Sequence, residues 1–145
     1  MLDELEALYR AKLPEFRRAA AAIAGDEEAG RDAVQEAFAA AVRRRRSWRR
    51  RGPLEAWVWR IVVNKARDAR RRRPKAIEPS PTVNLPHVPL ESLTERQREI
   101  VFLHYYADLD YAEIADALRI SVGTVGATLN AARKTLRTAM EEVRA

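Results

Sequence analysis

Apolar residues recur at helical spacing along most of the chain, and the pattern is sharpest between Asp110 and Arg137. Tyr111, Ile114, Ala115 and Leu118 fall on one face at i, i+3, i+4 and i+7. Ile120 closes a turn, and Ser121 stands where a hydroxyl can accept a bond from a free backbone N–H. Val122, Val125, Leu129, Ala132 and Leu136 then form a second stripe. Ala115 is small where two helices would cross closely. This spacing predicts a helix-turn-helix whose second helix enters a DNA major groove. An αα-hairpin inside a helical core is the alternative.

The N-terminal half repeats the helical period three times. Leu2, Leu5, Leu8, Tyr9, Phe16, Ala19, Ala20 and Ile23 give residues 2–24 an apolar face, with Pro14 predicting one bent helix or two. Ala33, Val34, Ala37, Phe38, Ala41 and Val42 predict a second helix over 27–46, whose opposite face carries Asp32, Gln35 and Glu36. Leu54, Trp57, Val58, Ile61 and Val62 predict a third over 54–73. On that helix Trp57 belongs to the core stripe, Trp59 lies off it, and Arg60, Asn64, Arg67, Arg70 and Arg71 lie elsewhere.

The period fails over residues 74–92, where Pro74, Pro79, Pro81, Pro86 and Pro89 predict an extended linker. His87 is a loop residue there. Thr94 with Gln97 has the form of a capping box opening a helix to about residue 106, and Asp110 with Glu113 repeats it. His104 reads as a core histidine. The last helix is expected to run to about Glu142. The fold class is therefore all-α, with two small helical domains (1–75 and 92–145) joined by a Pro-rich linker (76–91).

Charge changes this picture. The chain of 145 residues has 27 Lys+Arg against 21 Asp+Glu, a net +6 and a pI near 10.1, which favours a polyanionic partner. Residues 1–75 carry +9 (20 basic, 11 acidic) and residues 76–145 carry −3 (7 basic, 10 acidic). The attraction to nucleic acid thus sits in the N-terminal half, away from the helix-turn-helix. Within Arg43–Pro53, seven arginines surround Ser47 and Trp48. A stacking plane among phosphate-neutralising cations suits single-stranded nucleic acid, although charge runs are more often solvated loops. There is no cysteine, so disulfides and Cys-ligated metal are excluded. No apolar run suggests a membrane span or signal peptide, which makes the cytoplasm the expected location. No cofactor or metal is expected. Two separated histidines, no Gly-rich phosphate loop and no paired carboxylates argue against an enzyme.

Taken in order, several blocks resemble a known family. Leu5–Arg10, Asp32–Phe38 and Ala56–Asn64, then Leu93–Arg98, Glu113–Ala115 and Ser121–Val125, are similar to bacterial sigma factors of the extracytoplasmic-function (ECF) class. The resemblance implies binding to core RNA polymerase, recognition of the −10 and −35 promoter elements, and help in opening the duplex. It implies that Asp32, Gln35 and Glu36 meet the polymerase's largest subunit. It implies that Trp48, Arg49, Arg50 and Arg51, with Arg60, Asn64, Lys65 and Arg67, hold the −10 strand around a base flipped from its stack. Flipping costs roughly a few kcal/mol, which an amide such as Asn64 and nearby cations offset. For the −35 element it implies Gly123, Thr124, Ala127, Thr128, Asn130, Arg133 and Lys134. It further implies an anti-sigma protein as a partner, and no membrane insertion.

The chain departs from the family's usual pattern at telling places. Gly126, Thr128 and Ala131 stand where cations are usual, so each lost phosphate contact lowers the salt slope by about one unit. Gly126 costs the helix roughly 1 kcal/mol relative to Ala. Arg119 replaces the usual turn glycine, which strains a left-handed position. Arg49–Arg51 replace the more usual Arg-Gly-acid. The −35 element is expected to be bound weakly, or read through Thr124, Asn130 and contact with thymine methyls, with promoter affinity shifted to the N-terminal domain. Two other functions compete: an interaction protein that no longer reads a −35 element, and a stand-alone helix-turn-helix repressor. The repressor would need a dimerisation helix, and the sequence offers none.

Overall fold

The structure is a computed structural model that describes residues 2–48, 53–72 and 92–144. The linker at 76–91, His87 and Arg49–Arg51 lie outside the described residues. Among the described residues every regular element is helical: α1 (Leu2–Ala24), α2 (Glu27–Arg43), α3 (Leu54–Arg72), α4 (Glu95–Tyr105), α5 (Tyr111–Leu118) and α6 (Val122–Arg144), with a short 3₁₀ turn at Arg45–Ser47. No helix among them is long and apolar enough to cross a membrane.

The first three helices pack on one another as a bundle. α1 is a single helix running through Pro14, whose ring lies on the exposed side. Gly25, at φ 82°, stops it, and Asp26 starts α2 by accepting the Ala29 N–H at 2.9 Å. The bundle centre is aromatic. Phe16 lies 4.3 Å from Trp59 and meets Phe38 edge-on at 5.3 Å, and Tyr9 meets Phe38 edge-on at 5.0 Å. Trp59, off the main stripe in the sequence, is the buried tryptophan, while Trp57 is only half-buried. The stripe misleads because α3 is covered on two sides, by α1 and α2 and by α5. Glu55 Oε2 receives the Trp59 indole N–H at 3.4 Å, a weak bond that still gives the buried nitrogen a partner.

The second bundle is built from its caps. Thr94 and Gln97 exchange bonds at 3.0 and 3.1 Å, and Asp110 and Glu113 at 3.0 and 2.8 Å, so both capping boxes are formed. Val125, Leu129 and Ala132 of α6 are fully buried, and Leu136 is partly so. Val122, assigned to the same stripe, is 51% exposed because the first turn of α6 projects beyond the bundle. The two bundles touch: α3 lies against α5, and α1 against α4. Buried side chains run continuously from one bundle into the other.

The crossing of α1 and α2 depends on a glycine that the periodicity did not single out. A Cβ on Gly30 would fall 2.4 Å from Ala21 Cα and N and 2.9 Å from the Ala20 carbonyl carbon. These are backbone atoms, so the two helices must separate to admit a methyl. Gly30→Ala is expected to destabilise the protein by roughly 1–3 kcal/mol, the range for an overpacked core, read from denaturant unfolding. An unchanged midpoint would show that the crossing relaxes freely.

Candidate nucleic-acid interface

Residues 60, 64, 67 and 71 stand at i, i+4, i+7 and i+11 on α3 and share one face. In this structure that face is turned toward the second bundle. Arg60 donates through Nη2 to the Asp116 carbonyl at 2.7 Å. Asp116 belongs to the last turn of α5, whose carbonyls lack intrahelical partners, so Arg60 caps that helix from the other bundle. Burial and the nearby Arg119 charge push Arg60 down from the ordinary arginine range.

Arg67 makes the strongest contact. Its Nε and Nη2 each reach a Glu99 carboxylate oxygen at 2.8 Å, a two-pronged guanidinium–carboxylate pair. Glu99 is only 1% exposed. Glu95 lies 3.5 Å from Arg67 and 3.6 Å from Arg71, on the more solvated rim. The hydrogen bonds to Glu99 hold the Arg67 guanidinium above its ordinary range. A raised value adds stability below the unfolded-state value and loses it only as pH rises through the folded one, far above neutrality. The Arg67 side of the lock is therefore insensitive to pH near 7.

Between Arg60 and Arg67, Asn64 is exposed, and Lys65 beside it is half-buried. Trp48 ends the 3₁₀ turn and is half-buried. That turn is held by Ser47 Oγ donating to the Arg44 carbonyl at 2.6 Å and by Arg45 reaching the Val42 carbonyl at 2.7 Å. The structure thus groups Arg60, Asn64 and Arg67 on one face, with Arg60 and Arg67 already engaged. Asp32, Gln35 and Glu36 are exposed together on α2.

Glu99 is the residue that sequence reasoning missed. One signal was available: it shares a helical face with Phe102 and Leu103, three and four positions on, and both are fully buried. A carboxylate on such a face needs a cation opposite it.

On α6, Ser121 Oγ accepts the Thr124 N–H at 3.0 Å and bonds the Thr124 hydroxyl at 2.8 Å. Gly123, Thr124, Ala127, Asn130 and Lys134 are exposed, and Thr128 and Arg133 are half-buried. Arg133 donates from Nε to the Tyr105 hydroxyl at 2.9 Å, with its guanidinium 5.8 Å from the ring centre. That bond raises Arg133 above its ordinary range. His104 stands between Tyr105 and Tyr111, and its Nδ1 bonds the Leu109 carbonyl at 3.0 Å.

Arg119, just after α5, has φ 57° and ψ 47°. A left-handed backbone at a residue with a Cβ costs roughly 1–2 kcal/mol. A Cβ on Gly126 would meet Tyr111 Cε2 at an ordinary 3.5 Å, so space does not require that glycine. Arg119→Gly and Gly126→Ala are each expected to raise unfolding free energy by up to about 1 kcal/mol, measured by denaturant titration. Glu99→Ala should lower it by roughly 1–3 kcal/mol, as expected for losing a charge-assisted bond. A loss below that range would mean the bundles are not coupled through this pair.

Comparison with known proteins places these elements in a family. Residues 8–75 match Sigma-70 region 2, and residues 90–136 match Sigma-70, region 4. An RNA polymerase sigma-E factor of Streptomyces coelicolor is 27% identical over 92% of this chain and 84% of its own. The ECF RNA polymerase sigma factor EcfG of Rhodopseudomonas palustris is 26% identical over 94% of this chain and 84% of its own. The structure of CnrH in complex with the cytosolic domain of CnrY is similar with a TM-score of 0.80 and 26% identity, over 98% of this chain and 90% of that one. The sigma factor RpoE in complex with the anti-sigma factor NepR from Bartonella quintana has the same fold, with a TM-score of 0.72 at 21% identity over 95% and 97%.

Proposed function

The chain belongs to the extracytoplasmic-function class of sigma factors, and from that membership we propose how its residues divide the work of promoter-specific transcription initiation. The observation that carries the reading is the order of regions 2 and 4 along one chain, with a polar, cationic α3 face in the first. Residues 1–75 bind core polymerase and the −10 element, 76–91 connect, and 92–145 carry −35 recognition. Asp32, Gln35 and Glu36 offer an exposed acidic face to a basic partner helix. Trp48 supplies stacking, and Asn64 supplies an amide to a flipped base. Arg60, Lys65, Arg67 and Arg49–Arg51 neutralise the strand. Gly123, Thr124, Ala127, Thr128, Asn130, Arg133 and Lys134 form the −35 surface. The polymerase performs the chemistry, so this chain needs no catalytic residue. We infer the cytoplasm as its place of work.

The closed arrangement engages Arg60 and Arg67, so the bundles must part before α3 meets DNA. The similar solved complexes motivate an anti-sigma protein as the partner that holds the closed form. The uncharged exposed residues in the first half of α6, Gly123, Thr124, Ala127 and Asn130, also support a second reading, in which this helix docks on protein and reads no −35 sequence.

Run-off transcription with core polymerase and a promoter library tests the assignment. Specific initiation is expected, and Trp48→Ala should reduce open complex by about tenfold, the loss of one base stack. Replacing Arg49–Arg51 with Ala should weaken promoter binding more than replacing Arg133 and Lys134. Core binding without initiation would favour the protein-docking reading, and absence of core binding would overturn both.

A further inference from the structure

The closed arrangement encloses a cleft of about 240 Å³ between the two bundles. Arg60, Asn64, Arg67, Arg96 and Arg119 supply its polar lining, and no carboxylate side chain lines it. The four guanidiniums come from α3, from α4 and from the residue that ends α5. Arg67 is neutralised by Glu99, which also lies 3.8 Å from Arg96. Among the described residues neither Arg60 nor Arg119 makes an ion pair with a carboxylate. Arg60 Nε is buried and has no hydrogen-bond partner. Arg119 is exposed and lines the cleft from a left-handed backbone position that glycine would occupy without strain.

Four guanidiniums thus share a partly enclosed space with the Glu99 carboxylate behind Arg67 and Arg96, the Asp116 charge near Arg60 and one donor unmet, an excess of positive charge that complements an anion. The volume admits one or two phosphoryl groups and is too narrow for a duplex. We propose that this cleft binds a small polyanion of the diphosphate class through Arg60, Arg96 and Arg119. Because those arginines belong to both bundles, the bound anion clamps the closed form. Both free diphosphate and the diphosphate of a nucleotide have this chemistry.

The full chain, without polymerase or promoter, is titrated with inorganic pyrophosphate, ADP and adenosine at fixed ionic strength, by calorimetry and thermal unfolding. Saturable one-to-one binding of pyrophosphate with a rising midpoint is expected, and no binding of adenosine. ADP binding would extend the site to nucleotides, and its failure beside pyrophosphate would confine the site to the free anion. Arg119→Gly suits the backbone and folds, and should weaken pyrophosphate by at least about tenfold, as losing a charged hydrogen bond does. Arg10→Gln removes the same charge from an exposed site on α1 and should leave affinity unchanged. Absence of saturable binding, or equal affinity in Arg119→Gly, overturns the proposal. So does a single-stranded octanucleotide that binds through Arg119 where pyrophosphate does not, which would give the cleft to the DNA backbone.

Discussion

The Arg67–Glu99 pair is the contact on which the arrangement of the two bundles depends. A carboxylate 1% exposed is tolerable only while a cation and its hydrogen bonds stay in place. The partner comes from the other bundle, so the packing of α4 and the docking of α3 are one problem. Arg60 on the Asp116 carbonyl adds a second polar tie, and the apolar contact of α3 with α5 fills the space between them. Exposed pairs such as Arg10–Glu6 add little by comparison, because water screens them.

A polar lock of this kind suits a protein that must open. A seam without these charges would leave a still larger greasy patch on each bundle once they separated, beyond the apolar contact already shared. Arg67 and Glu99 become well-solvated ions in the open state, and the same guanidinium is then free for a phosphate. The closed and open states thus compete for the same charges. On the proposed function, which state wins depends on the polyanion or partner present, and the arginines carry their charge throughout the neutral range.

Much of the fold was legible because its signals are local. The capping boxes at Thr94 and Asp110 and the N-cap at Ser121 rest on side chains within three residues of the groups they bond. The left-handed backbone at Arg119 was expected too, but only from the family resemblance, in which a turn glycine is usual there. What escaped depends on neighbours distant in sequence. Trp59 is buried because α3 is sandwiched, which a single stripe cannot reveal. Gly30 matters only because the backbone of Ala20 and Ala21 passes beside it. Glu99 finds its partner 32 positions away. The candidate site divides the same way: the residue types on α3 were readable, but their engagement by the second bundle was not.

The eight-residue helix α5 carries a further consequence. Its start is secured by its own capping box, but its final turn borrows a donor from Arg60, and the residue beyond sits in a strained conformation. So short a helix has little order to spare once an end is released. When the bundles separate, that last turn loses its outside support and frays first. If the bundles part as proposed, the joint orienting α6 softens, and the angle at which that helix is presented becomes adjustable.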